Sequence, residues 1–246
     1  MIKAVVFDFD HTLYDRAATD VNMADDFIEF FADILKDGLS REEVLQAILK
    51  GDFSGTPRRE KLYKDPNYKP VPEDHFRGIH MATVETGIFK DPPDYQRYYF
   101  GFIENYFPKA VQLYPDTLSV LKTLRERGYK LGILTNGPSN YQRNKLNCTD
   151  LHSYVDEIVL CGDLEHQKPH PSSFEAVCKR LGVSFEETVF VGDSPVNDVD
   201  GARKVGMIPL WMNSIGKWND SIEPAKYSID KLSEILGIID EIKSDI

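Results

Sequence analysis

The sequence predicts an α/β fold, a doubly wound parallel sheet interrupted once by an inserted all-helical domain. Three observations carry that prediction. The runs Ala4–Phe7, Lys130–Thr135 and Thr188–Gly192 are short, rich in β-branched residues and nearly all apolar, and apolar runs without alternation mark strands covered on both faces. Each is followed by polar residues and then by a helical pattern, the rhythm of parallel strands joined by crossover helices. The stretch 16–109 breaks this rhythm, because helical patterns succeed one another there with no convincing strand.

In chain order, the first strand leads straight into Asp8 and then into the insert. Helices are expected over 21–36, over 40–50, near 73–85 and over 94–107. The second opens on the capping box Ser40-Arg41-Glu42-Glu43. Stretches bearing Pro and Gly at 51–57, 65–72 and 91–93 are expected to separate these helices. Pro115 then starts a helical pattern through Leu118, Leu121 and Leu124 that stops at Gly128, and Pro171 starts another through Phe174, Val177 and Leu181 that stops at Gly182. Weaker strands at 157–161 and 207–212 bring the sheet to about five or six strands. The end of the chain, 229–246, has Leu232, Ile235, Leu236 and Ile239 at helical spacing and reads as an amphipathic helix covering the sheet. The expected division is a core of residues 1–15 and 110–246 and a helical domain of 16–109.

Composition narrows the function. The chain has 246 residues, 41% hydrophobic and 28% charged, with a formal net charge of −11. That charge opposes binding to a nucleic-acid polymer or an anionic membrane surface. Cys148, Cys161 and Cys178 leave one thiol unpaired under any disulfide scheme, and no apolar run nears the length of about 18 residues that suits a membrane span. A cytoplasmic location is expected.

Ligands of open parallel sheets sit beyond the carboxyl ends of the strands. Here those ends read Asp8-Phe9-Asp10-His11-Thr12, Thr135-Asn136-Gly137 and Gly192-Asp193-Ser194, with Asp198 shortly after and Lys168 just before a helix. Asp8, Asp10, Asp193 and Asp198 against Lys168 leave a formal −3. Two like charges 4 Å apart repel by roughly 4 kcal/mol at an effective dielectric near 20, so a hard divalent cation, Mg²⁺, is expected. Asp8, ionised at neutral pH, is the expected nucleophile toward a phosphorus centre. Asp10, crowded by carboxylates, is expected to have a raised pKa and to act as acid and then base. The Thr135 hydroxyl, the Asn136 N–H and the Lys168 ammonium are expected donors to phosphoryl oxygens.

These four motifs, in this order, resemble the haloacid dehalogenase superfamily over roughly residues 1–15 and 110–215. The resemblance implies Asp8 as nucleophile, Asp10 as acid/base, and Thr135 and Lys168 as phosphate binders. It implies Mg²⁺ contacts from Asp8, the Asp10 backbone carbonyl and Asp193, with Asp198 further out or acting through water. The insert stands where the helical-cap members carry a lid. His11 departs from the Gly that many members have. Asp10 argues against carbon–halogen cleavage, since the dehalogenases lack that second aspartate. Gln142-Arg143, Leu146 and Pro209-Leu210-Trp211-Met212-Asn213 are similar to the branch of pyrimidine nucleotidases and acylneuraminate phosphatases. The implied activity is Mg²⁺-dependent hydrolysis of a small phosphorylated metabolite, a nucleoside monophosphate or sugar phosphate, through an aspartyl phosphate. A phosphomutase and a sensor of phosphate or metal without turnover are the alternatives.

In the insert, Tyr95, Tyr98, Tyr99, Phe102 and Tyr106 fall at helical spacing and are expected to form its core. Arg58, Arg59 and Lys61 read as a solvated charged face.

Overall fold

In the computed structural model, which describes residues 1–62, 74–214 and 218–245, the three apolar runs are neighbouring strands of one parallel sheet. The strands are β1 (Ala4–Phe7), β2 (Lys130–Thr135), β3 (Glu157–Leu160), β4 (Thr188–Gly192), β5 (Ile208–Met212) and β6 (Tyr227–Ile229), in the order β3-β2-β1-β4-β5-β6. Each neighbouring pair runs parallel. β1 is therefore central, with Phe7 opposite Ile133 on one side and Val191 on the other. The strand order reverses at β1, and that reversal opens the crevice in which such sheets hold ligands.

Burial explains why these strands do not alternate. Ala4 and Val6 pack with Phe174, Val177 and Leu181 on one face, while Val5 and Phe7 on the other are equally inaccessible. Both faces are covered, so both need apolar side chains. The helices of this unit are α5 (Thr117–Glu126), α6 (Ser139–Asn147), α7 (Pro171–Leu181), α8 (Gly201–Val205) and α9 (Ile235–Asp245). α7 ends on Gly182 at φ +63°, the left-handed C-cap that glycine adopts without steric cost.

The chain divides into two compact units, Met1–Asp15 with Leu113–Ile246, and Arg16–Gln112. The second unit is helical: α1 (Arg16–Phe30), α2 (Arg41–Leu62), α3 (Asp74–Glu85), a π-helical stretch Gln96–Ile103 and α4 (Glu104–Ala110). Its core is aromatic, with Phe27, Phe31, Tyr98 and Phe102 buried and their rings in mutual contact. The predicted capping box forms, Ser40 N donating to Glu43 and Glu43 N to Ser40 Oγ.

Three elements differ from the sequence expectation. α1 begins at Arg16 rather than 21 and ends at Phe30, although Phe31 and Leu35 beyond it remain buried; apolar spacing reports burial, which turns also provide. α2 runs through Gly51, where a break was expected. A Cβ on Gly51 would lie 2.1 Å from the Thr83 hydroxyl, so this glycine permits close approach of α2 and α3 rather than ending a helix. The carboxyl-terminal segment holds a sixth strand, Tyr227–Ile229, and α9 begins only at Ile235, burying Ile235, Ile239 and Ile242. The side chains of Arg58, Arg59 and Lys61 and the break expected at 65–72 lie outside the described residues. No helix among the described residues is long and apolar enough to cross a membrane.

Candidate active site

Every expected site residue lies at the carboxyl edge of the sheet, in the first unit. Asp8 leaves β1 with its N–H bonded to Val191 O at 2.8 Å, which fixes it between β1 and β4. Asp8, Asp193 and Asp198 offer carboxylate oxygens that all lie within 4.8 Å of one another. Lys168 reaches the same place from the loop before α7. Its Nζ donates to Asp8 Oδ1 at 2.6 Å and Asp198 Oδ1 at 2.7 Å, and only 1% of its side chain is exposed. The Lys168 loop is clamped at its backbone by Asn136, whose Nδ2 donates to Lys168 O and whose Oδ1 accepts from Lys168 N at 2.9 Å. Asn136 thus holds Lys168 through its side chain, a role its position in the motif did not disclose.

Asp198 has both oxygens engaged, one on Lys168 and one on the Ser194 N–H at 2.9 Å. That leaves it poorly placed to face a cation directly, in keeping with an outer position. Gly192 makes room for it: a Cβ there would stand 2.4 Å from the Asp198 carboxyl carbon. Gly192→Ala is therefore expected to push Asp198 off Lys168 and lower kcat by about 10- to 100-fold, as misplacement of a site group by about 1 Å does. Steady-state kinetics beside a thermal melt would show it; an alanine variant with wild-type kcat would refute this reading of Gly192.

The electrostatics correct two expectations. Burial pushes the Asp8 carboxyl up to about 7 against the pull of Lys168, with Asp198 and Asp10 adding to the rise. Burial thus works against the full ionisation expected of Asp8 at neutral pH. Asp193 is likewise raised well above the usual range, by burial first and by Asp198 and Asp8 second. Asp10 moves the other way. Burial alone would raise it, but Lys145, Tyr14 and Gln142 outweigh burial and hold its carboxyl below the usual range. The expected upward shift is thus overturned, because Asp10 is paired rather than crowded.

Lys145 and Tyr14 were missed in the sequence, and Gln142, singled out there with Arg143 for its likeness to a branch of the family, was given no contact with Asp10. Lys145 forms an ion pair with Asp10, Tyr14 donates to the same oxygen at 2.5 Å, and Gln142 Nε2 donates to Asp10 Oδ2 at 2.6 Å and to Thr135 Oγ1 at 2.9 Å. Gln142 and Lys145 are three apart on α6 and share a face, a spacing that would have put Lys145 beside Gln142. Counting Lys145, the formal charge of the group is −2 rather than −3. His11 stands at φ +60°, the left-handed conformation for which glycine is the usual occupant. His166, half-exposed beside Glu165 and His170, lies outside the carboxylate cluster.

A cation fits this donor set. Three carboxylates with only oxygen donors, two of them resisting ionisation, face a single ammonium, and a hard divalent ion relieves that imbalance. The carboxylates the structure brings together to hold it are Asp8 and Asp193, with Asp198 beside them and already engaged by Lys168 and Ser194.

The sequence model of the haloacid dehalogenase-like hydrolases matches residues 2–206. A glyceraldehyde 3-phosphate phosphatase from Methanopyrus kandleri is 28% identical over 253 residues, covering all of both chains. A pyrimidine 5'-nucleotidase from Streptococcus pneumoniae is 25% identical over 97% of this chain and 95% of its own. Among solved structures, a HAD-hydrolase from Bacillus subtilis bound to magnesium superposes with a TM-score of 0.71 at 25% identity, over 97% of this chain and 98% of that one.

Proposed function

Because the chain belongs to the haloacid dehalogenase-like hydrolases, we propose that it is a Mg²⁺-dependent phosphatase of small phosphomonoesters, working through an aspartyl phosphate on Asp8. The observation that carries this is the Lys168 ammonium held between Asp8 and Asp198, beside Asp193, with a second aspartate, Asp10, two residues on. Bound there, Mg²⁺ would neutralise carboxylates and draw a phosphate dianion into an otherwise repelling site.

The residues divide the work. Asp8 Oδ attacks phosphorus and the ester C–O–P bridge breaks on the phosphorus side, leaving an acyl phosphate on Asp8 and freeing an alcohol. Lys168 and the Thr135 hydroxyl stabilise the phosphoryl oxygens as charge shifts among them. Asp10 in its acid form gives a proton to the leaving oxygen. In its carboxylate form, which Lys145 favours, it takes a proton from the water that then releases phosphate and restores Asp8. The helical unit, Arg16–Gln112, stands in the chain where helical-cap members of the family carry a lid. Sugar phosphates and nucleoside monophosphates are the substrate classes, supported by the names of the two full-length relatives.

The test is phosphate release from p-nitrophenyl phosphate, with Mg²⁺ and with chelator, followed by a panel of triose phosphates, hexose phosphates and nucleoside monophosphates. Metal-dependent release supports the proposal. Isomerisation of a sugar phosphate without net release points instead to a mutase, and binding without release of phosphate to a sensor.

A further inference from the structure

Within the phosphatase reading, on which this inference rests, Asp10 needs a fixed carboxylate, and the chain supplies a dedicated holder for it. Lys145 has 1% of its side chain exposed and pairs with Asp10. Its ammonium also stands 5.1 Å from the ring of Phe9, 5.2 Å from Tyr14 and 4.8 Å from Tyr141, within cation–π range of all three. Removing an ammonium from water costs several kcal/mol, and well-packed apolar residues often replace a buried ion pair with no loss of stability. A helix that needed only filling at this position would be served by Met or Leu.

The second holder is Gln142. Its amide touches Asp10 Oδ2 at 2.6 Å and Thr135 Oγ1 at 2.9 Å, and the residue is 1% exposed. Both Asp10 oxygens are therefore fixed from the buried side, while a quarter of the Asp10 side chain stays accessible. One continuous segment, from Thr135 at the end of β2 to Lys145 on α6, then provides both a phosphate donor and the frame for the proton carrier.

We propose that Lys145 and Gln142 are positioning residues of the reaction: they act through Asp10, orienting its carboxylate toward the leaving-group oxygen and the attacking water, and Gln142 ties that orientation to Thr135. Neither touches the reacting atoms.

The test is a double-mutant cycle. Lys145→Met, Lys145→Arg and Gln142→Leu are made in the wild type and in Asp10→Asn, and kcat and KM are measured with p-nitrophenyl phosphate and Mg²⁺. Lys145→Met is expected to lower kcat by about 10- to 100-fold with KM within about threefold, the signature of lost orientation. Lys145→Arg is expected to recover part of that loss. In the Asp10→Asn background Lys145→Met is expected to cost less than about twofold, since groups acting as a unit are non-additive. Losses that multiply in the double variant, or a change in KM alone, would overturn the positioning role while leaving the phosphatase reading intact. Absence of Mg²⁺-dependent release by the wild type would overturn both. Should Lys145→Met fail to fold, Gln142→Leu and Lys145→Arg decide through the same cycle.

Discussion

Asp8→Asn is expected to reduce phosphate release by at least ~10³-fold, because an amide nitrogen or oxygen at that position cannot form the acyl phosphate. The same variant is expected to melt no lower than the wild type at pH 8 without metal. The buried Asp8 carboxyl is pushed up to about 7, so its surroundings disfavour the charge that pH 8 imposes, and a neutral amide removes that cost. Lys168 keeps Asp198 as its partner. Kinetics and a thermal melt on one preparation check both halves. Residual turnover within tenfold of the wild type would exclude Asp8 as nucleophile, and a collapsed melt would mean that Asp8 is needed for the fold.

Mg²⁺ is expected to stabilise the protein more at pH 8 than at pH 5, and its removal by chelator to abolish turnover. An unfolded aspartate titrates near 3.8 and folded Asp8 near 7. Between those values the folded chain holds a proton that the unfolded chain has released. Stability from this group is thus complete below about pH 4 and declines as pH rises toward 7. Asp193 acts in the same sense, and Asp10 in the opposite one, since its lowered value makes it lose stability only as pH falls below 4. Bound Mg²⁺ replaces the missing proton, so its benefit grows as that proton leaves. At 100-fold over its Kd the ion contributes about 2.7 kcal/mol, or a rise in Tm of about 5 °C or more for a chain this long. Calorimetry near pH 6.5 in two buffers of different ionisation enthalpy should register proton release on Mg²⁺ binding. Equal shifts in Tm at both pH values, or no proton release, would contradict this linkage.

The sheet was readable because its strands obey one demand. β1, β2 and β4 are buried on both faces, and a run such as Ala4–Phe7 has no other use in a chain this polar. Asp8, Asp10, Thr135 and Asp193 were readable because they stand at or just beyond the ends of such strands, whereas Lys168 comes from the loop before α7. The short strand Tyr227–Ile229 was hidden: it has three residues and a single exposed position, Ser228, so it carries no pattern to detect. Gly51 misled because its packing against Thr83 has the same spelling as a helix break. Asp10 misled for a related reason. The motifs list the acids that meet at the site, whereas its pKa is set by Lys145, 135 positions away and brought in by a helix whose polar residues look like surface.

The central place of β1 also bears on how the chain is made. Ala4–Phe7 precedes every other strand of its sheet in the chain, and its two hydrogen-bonding neighbours, Lys130–Thr135 and Thr188–Gly192, are synthesised more than 120 and 180 residues later. Until then both edges of an apolar strand lack their partners, the condition under which nascent chains associate with one another. Two aspartates, Asp8 and Asp10, follow at once, and charges flanking an apolar strand oppose such association. A chain that ends before residue 188 therefore cannot pair both edges of this strand. The aspartates proposed for catalysis are thus also the first charges to follow that unpaired strand.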